Sequence, residues 1–379
     1  MLDIAARAVM LELEGARQEI AYLKARSALD FLRHRPLDWT GGTGAVSDGT
    51  SPIGDGDLVD RVCSAYKHGF QSPMIEGNSF WLSDYAQKKR RIHDSIMAGD
   101  IETVAGMLRN PQRSPLFYGF DLLNNVDPPM SAAVVDWQRQ WVFDNLVRLA
   151  EAVGVTRLHY PEAPRSDPSP PDVEEILSSL DAAFGFRIDF PNPFPGEAGL
   201  STSRGIASYR SIQSLYQVWR ISQLTDGTER RVVEIGGGLG RNAYYASKFG
   251  FGSFSIVDLP MTSVAQGYYL GRVLGGDRVR LQGEHESKPI SLLTPEEYLQ
   301  QDDRYDLILN VDSLSEMSTE MAVLYLRKSF EISPKLLSIN HEYNPYTFPQ
   351  LLREHFNRSA TLRTPYWMRN GYVEELVNS

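Results

Sequence analysis

The stretch RVVEIGGGLGRNAYYA, residues 231–246, decides the fold. Arg231 to Ile235 is a β-branched run that the glycines interrupt, and a helical pattern begins at Arg241, so the order is strand, tight turn, helix. Glycines in such a turn let the backbone approach a ligand, and the helix beyond presents free N–H groups to it. A dinucleotide fingerprint would carry Gly-x-Gly-x-x-Gly, but counted from Gly236 and Gly238 the third position is Arg241, whose side chain obstructs close packing. A P-loop would continue into Gly-Lys-Ser/Thr, which does not follow. What stands is acidic-x-Gly-x-Gly-x-Gly: Glu234 ends the strand and Gly236, Gly238 and Gly240 shape the turn. A second acid, Asp258, closes the next strand 24 residues later, where it can accept hydrogen bonds from both hydroxyls of a ribose.

Downstream, short β-branched runs alternate with helical ones, which predicts a parallel sheet with crossover helices. The expected strands are Arg231–Ile235, Ser253–Val257, Arg278–Gln282, Asp306–Val311 and Lys335–Asn340. Thr361–Thr364 and Tyr372–Leu376 flank Asn370-Gly371, a turn dipeptide that favours an antiparallel hairpin. Upstream, residues 208–224 (SYRSIQSLYQVWRISQL) read as an amphipathic helix entering the first strand, preceded by a helix over 173–184 and a Pro/Gly-rich passage to Gly199. The proline cluster 161–171 reads as a connector, residues 58–149 as mostly helical, and the polar stretch 41–57 as a long loop or lid. The expected division is a mostly helical region over 1–190 and a doubly wound α/β domain over 191–379. In the first helix, Leu2, Ala5, Ala6, Val9, Met10, Leu13 and Ile20 share a face that would pack on a second subunit, giving a homodimer, or on the chain's own core.

With 42% hydrophobic residues the chain has material for one large core or two ordinary ones. A net charge of −10 offers no footprint for phosphate backbones, and the one basic run, Lys88 to Arg91, reads as a solvated helix face, so no nucleic-acid partner is expected. The single cysteine, Cys63, excludes an internal disulfide framework and suits a reducing compartment, so a cytoplasmic location and no membrane partner are expected.

Glu234 to Gly240, Asp258 and the terminal hairpin resemble the class I S-adenosylmethionine-dependent methyltransferases over roughly residues 200–379. More narrowly, RGIASYRSIQSLYQVWRI (204–221), VVEIGGGLGRNAYYA (232–246) and NVDSLSEM (310–317) are similar to a group of sugar O-methyltransferases. The resemblance implies a seven-stranded Rossmann-like sheet and S-adenosylmethionine as cofactor, with S-adenosylhomocysteine as product. Gly236, Gly238 and Gly240 would then bend around the methionine moiety, Asp258 would hold the ribose, and Glu234 would orient the turn or bind the amino group. Leu259 and Met261 would flank adenine or pack in the core. Arg204, Tyr209 and Arg210, just before the first strand, would reach the cofactor's carboxylate or stay solvated, and Asp312 would complete the cofactor set.

Acceptor chemistry belongs beyond the carboxyl ends of the strands, in the loops Asp312–Met317 and Asn340–Asn344. Transfer to a hydroxyl requires in-line positioning and removal of a proton. His341 is the expected general base, since imidazole changes charge nearest neutral pH, with Glu342 or Glu316 orienting its ring. A strand-end histidine bonded to backbone is the competing role. Asp312, Asn340 and Glu342 would suit a hard cation if gathered, but no spacing demands it and no metal is expected. His285 lies in a polar stretch that reads as a solvated loop. Tyr66, Trp81, Tyr85, Tyr366 and Trp367 are candidate platforms for a flat substrate or, more simply, core. The expected acceptor is a small molecule, a glycosylated compound or a peptide, with a sugar hydroxyl first and a natural-product or peptide carboxylate second. A non-catalytic cofactor-binding or scaffold protein is the alternative from another class, and an NAD-dependent oxidoreductase is disfavoured by Arg241.

Overall fold

The computed structural model describes residues 17, 41–52, 54–71, 89–117, 132–158, 171–227 and 229–378. The expected N-terminal helix with its dimer face, nearly all of the proline cluster, Trp81 and Tyr85 lie outside the described residues.

The first strand is β1 (Gly44–Asp48), followed by α1 (Gly56–Gln71), α2 (Arg90–Ala98), α3 (Ile101–Arg109), α4 (Ala132–Val153) and α5 (Val173–Phe184). Helix α5 starts where the Asp172 side chain accepts the Glu175 amide and stops at Gly185, left-handed at φ 79°, which satisfies the first and last turns. β2 (Pro195–Thr202) and β3 (Gly205–Ala207) join β1 in a three-stranded antiparallel sheet. The expectation of a loop over 41–57 is therefore corrected in part: Gly44 lies opposite Leu200 and Val46 opposite Ala198. Neither partner alternates apolar and polar residues, so the pairing is invisible until the two segments meet. Gly199 has no room for a side chain, because a Cβ there would run into the Ala207 carbonyl.

The main sheet follows α6 (Tyr209–Leu224), capped by the Ser208 hydroxyl on the Ser211 amide. Its elements are β4 (Arg231–Ile235), α7 (Arg241–Lys248), β5 (Ser253–Val257), α8 (Pro260–Leu274), β6 (Val279–Arg280), β7 (Ile290–Leu293), α9 (Pro295–Gln300), β8 (Leu307–Val311), α10 (Thr319–Ile332), β9 (Lys335–His341), α11 (Phe348–Phe356), β10 (Leu362–Pro365) and β11 (Tyr372–Asn378). The strand order is β10-β11-β9-β8-β4-β5-β7-β6. Strands β4 to β9 run parallel to one another, whereas β11 is antiparallel to both β9 and β10. The sheet thus has the expected seven positions plus the two-residue edge strand β6. The position beside β5 is filled by β7, and the expected strand over 278–282 shrinks to that outer edge.

Side chains alternate across this sheet into two cores. Val232, Ile256, Leu309 and Ile339 enter the core shared with α1, α4, α6 and α8; Val233, Val257, Ile308 and Leu336 enter the one shared with α10 and α11. Burial on both faces is why these strands read as continuous apolar runs. Chain order reverses direction between β4 and β8, a switch point of the kind beyond whose carboxyl ends open α/β sheets take their ligands.

Candidate functional site

The glycine turn leaves β4 at this switch point. Gly236, Gly238 and Gly240 have φ of 74°, 55° and 91°, a region that costs other L-residues steric strain. Gly236 and Gly240 are also hemmed in, by Ser313 and Leu270, but a Cβ on Gly238 would meet no protein atom within 4 Å. Gly238 is therefore the point at which something outside the protein can lie against the turn.

Glu234 sits beneath the turn, 2% exposed. Burial, which disfavours its charged form, pushes the carboxyl up to about 8, against the Asn242 hydrogen bond that lowers it, so the acid is largely protonated at neutral pH. Asn242 Nδ2 donates to Glu234 Oε1 at 2.7 Å and to Gln217 Oε1 at 2.8 Å, and Gln217 Nε2 donates to the Tyr366 hydroxyl at 3.1 Å. Glu234 Oε2 is buried without a hydrogen-bond partner.

Asp258 faces the turn from the end of β5. Its Oδ1 accepts the Leu259 amide at 2.8 Å, and its Oδ2 accepts Gln266 Nε2 at 2.8 Å. The same Gln266 nitrogen donates to the Gly238 carbonyl at 2.8 Å, so one fully buried amide ties the acid to the turn. Desolvation raises the Asp258 carboxyl to about 6, opposed by these two hydrogen bonds. These bonds and one from the Thr262 side chain leave acceptor capacity on the carboxylate, the group that would pair with ribose hydroxyls. Leu259 is half-buried at the start of α8, whereas Met261 is buried in the core. Local sequence does not mark Asn242 or Gln217 as site residues, and the signal for Gln266 is a glutamine inside the apolar run of α8.

On the other side, Ser313 Oγ donates to the Gly236 carbonyl at 3.3 Å, and the preceding Asp312 has φ 60°, rare for a side-chain-bearing residue. Asp312 Oδ2 accepts the Tyr372 hydroxyl at 2.9 Å, and its Oδ1 is buried without a partner. His341 ends β9 directly opposite Tyr372, their rings edge to face at 5.5 Å. Its Nδ1 accepts the Tyr343 amide at 3.3 Å, so the neutral ring carries its proton on Nε2 and the backbone-bonded role is the one seen. Glu342 does not orient this ring: Arg363 holds it at 2.8 Å, because successive side chains at a strand end point opposite ways. Glu316 ends the short turn Leu314–Glu316, half-buried.

Tyr209 stacks on Trp141 at 4.0 Å and 9°, and its hydroxyl accepts Arg210 Nε at 3.1 Å. Arg204 belongs elsewhere, donating to Asp181 at 2.6 Å. Asn340 is engaged by Asn310, Ser338 and Ser315, and Glu342 by Arg363, so Asp312, Asn340 and Glu342 are not gathered around one point. Tyr66 and Tyr366 are buried in the core, and half-buried Trp367 is held by its Nε1 donating to the Arg148 carbonyl at 2.8 Å. His285 is exposed on its loop.

No protein-family model and no curated protein matches the chain. Among solved structures it is similar to magnesium protoporphyrin IX methyltransferase from Synechocystis PCC 6803 with bound SAM, at 14% identity over 45% of this chain and 78% of that one, with a TM-score of 0.33. The CcbJ methyltransferase from Streptomyces caelestis is similar at 12% identity over 44% and 89%, TM-score 0.34. The mitomycin 7-O-methyltransferase MmcR is similar at 15% identity over 44% and 55%, TM-score 0.30. The chain's own strand order, with antiparallel β11 inserted between β9 and β10, is the sheet of the class I methyltransferase fold.

Proposed function

We propose that the chain transfers a methyl group from S-adenosylmethionine to an oxygen of a small polar acceptor. One constellation carries this reading: Gly238, open to a ligand, lies between buried Glu234 and ribose-competent Asp258 at the switch point of the sheet. The turn takes the methionine end, Asp258 the ribose hydroxyls and Leu259 one face of adenine. Tyr209, Arg210 and the buried Asp312 Oδ1 serve the carboxylate and amino groups. When bound, S-adenosylmethionine supplies an electrophilic methyl on a sulfonium. The acceptor oxygen forms its bond to that methyl as the carbon–sulfur bond breaks and its electron pair stays on sulfur; S-adenosylhomocysteine is the product. The chain contributes in-line positioning and, for a hydroxyl acceptor, a path for the departing proton. A sugar hydroxyl of a natural product or glycan precursor is the acceptor class suggested by the sequence resemblance.

The test is calorimetric titration with S-adenosylhomocysteine of the protein and of Asp258→Ala, with NAD as control ligand. Binding weakened about tenfold or more by the substitution is expected. Binding of NAD, or none of S-adenosylhomocysteine, overturns the reading.

A specific observation favours a second acceptor, a carboxylate. With Nδ1 occupied by the Tyr343 amide, His341 presents an N–H rather than a base, and a carboxylate needs none. His341→Ala separates the two: hydroxyl transfer with histidine as base predicts a fall in kcat of about a hundredfold or more, whereas carboxylate transfer predicts little change.

A further inference from the structure

The head of α4 carries two N–H donors that the cofactor reading leaves unused, and the level they occupy follows from α6. The last residue of α6, Leu224, accepts Lys335 Nζ at the start of β9, whereas Gln217 meets Asn242 and, through it, Glu234 at the end of β4. Helix α6 therefore runs from the carboxyl edge of the sheet to the amino edge, and Tyr209, two turns before Gln217, stands about 12 Å beyond the level of Glu234. Helix α4 runs beside it in the same direction: Trp141 stacks on Tyr209, and one turn on in both helices Gln213 Nε2 donates to Asn145 Oδ1 at 3.2 Å. Trp137 and Gln138 come one turn before Trp141 on the same face, so they lie beyond the Trp141–Tyr209 stack, over the carboxyl edge. Trp137 leans on Trp141 at 5.3 Å between ring centres. Three turns along the same side, Arg148 Nη1 donates to the Trp367 carbonyl at 3.4 Å and accepts Trp367 Nε1 at its own carbonyl, which fastens α4 to the hairpin loop. A buried indole ordinarily finds an acceptor, as that of Trp367 does. Trp137 Nε1 and Gln138 Nε2 are both buried with no hydrogen-bond partner among the described residues, and Gln138 is 1% exposed. An unpaired buried donor destabilises a fold, so two on adjacent residues point to a group outside the chain that accepts from both.

We infer that Trp137 and Gln138 form the acceptor subsite, and that the acceptor is a neutral hydroxyl-bearing ring such as a pyranoside. The inference rests on the methyltransferase reading and names its acceptor class. A sugar ring offers an apolar C–H face to the indole and oxygens to the two N–H donors. Neither donor carries a charge with which to offset the desolvation of an anion, so the pair selects a neutral ring over a carboxylate.

The test follows the indole N–H signals of the S-adenosylhomocysteine complex by NMR during titration with methyl β-D-glucoside, methyl β-D-galactoside and methyl α-L-rhamnoside, with benzoate as the charged control. At least one glycoside is expected to bind and to move the Trp137 signal, identified as the one missing from Trp137→Phe. Trp137→Phe and Gln138→Met should each weaken that glycoside about fivefold or more, the loss of one hydrogen bond, while the affinity for S-adenosylhomocysteine stays within about twofold. Gln138→Met should also keep or raise the melting temperature, because it removes an unpaired buried donor. A lower melting temperature in Gln138→Met would show that the amide is bonded within the fold and overturns the subsite. Binding of no glycoside, tighter binding of benzoate, or an unchanged glycoside affinity in either variant overturns it too. A parallel loss of S-adenosylhomocysteine affinity overturns it by assigning the two residues to the cofactor. Failure of the unaltered protein to bind S-adenosylhomocysteine overturns both readings and is told apart from the other outcomes by that first titration.

Discussion

At Gly238 the demands of backbone and ligand separate. A Cβ there meets no protein atom, so Gly238→Ala costs only the strain of a left-handed φ, about 1 kcal/mol, visible as a small drop in melting temperature. Affinity for S-adenosylhomocysteine should fall about tenfold or more by calorimetry, because the added methyl occupies the ligand's approach. An unchanged affinity would move the ligand away from the turn. Glu234 gives a second prediction, through its protons. Its folded carboxyl titrates at about 8 against 4.5 as a reference, so between those values the folded chain holds a proton that the unfolded chain has released. The stability this contributes is whole below pH 4.5 and is lost as pH rises through 8. Glu234→Gln, isosteric and never charged, should flatten the decline of melting temperature across that window and melt higher than the parent at pH 8. A parallel decline in both proteins would show that another group carries the dependence.

Among the elements, β11 ties the His341–Tyr372 end of β9 to the helix that leads into β4. Glu374, 3% exposed in β11, accepts the Tyr216 hydroxyl at 3.0 Å and Arg220 Nε at 2.8 Å, both from α6. Removing one partner of such a buried pair leaves the other uncompensated, so Glu374→Ala should lower unfolding free energy by about 3 kcal/mol in a urea titration. Tyr372, at the start of the same strand, faces His341 and reaches Asp312, so slack in β11 should also reduce turnover. The hairpin itself was readable from Asn370-Gly371, although its loop runs from Tyr366 to Gly371 rather than closing on two residues. Strand β7 was not readable, because ISLL is only four residues long without strict alternation and becomes a strand only beside β5.

For the molecule as a whole, the ion pair between Arg241 and Glu197 joins the first turn after the glycines to the three-stranded sheet. Arg241 Nη2 donates to Glu197 Oε1 at 2.8 Å, both side chains are buried, and Asn192 donates to the other oxygen of Glu197. The residue that argues against a dinucleotide fingerprint thus holds the small sheet against the helix that follows the glycine turn. Arg241→Met alone should cost about 3–5 kcal/mol in chemical denaturation, and Arg241→Met combined with Glu197→Met should recover much of it, since the pair's attraction is largely spent on its own desolvation. Purely additive losses would instead mean that packing, not charge, carries the junction.

Local chemistry determined what could be read without coordinates. The helices over 173–184 and 209–224, strands β4, β5, β8, β9 and the acids at their ends follow from periodicity and from a glycine motif whose meaning lies within a few neighbouring residues. Tertiary structure decided everything that depends on distant partners. Strand β1 needed β2, about 150 residues away, to supply its hydrogen bonds. Gln266 became part of the site because α8 carries it back over Gly238, and Glu342 left it because strand geometry turns adjacent side chains apart. His341 was rightly located at a strand end, but the backbone amide that occupies Nδ1 belongs to a turn whose shape the residue pattern does not encode. Hydrophobic periodicity is a property of neighbours along the chain, whereas the state of a strand-end side chain is set by whatever the fold brings against it.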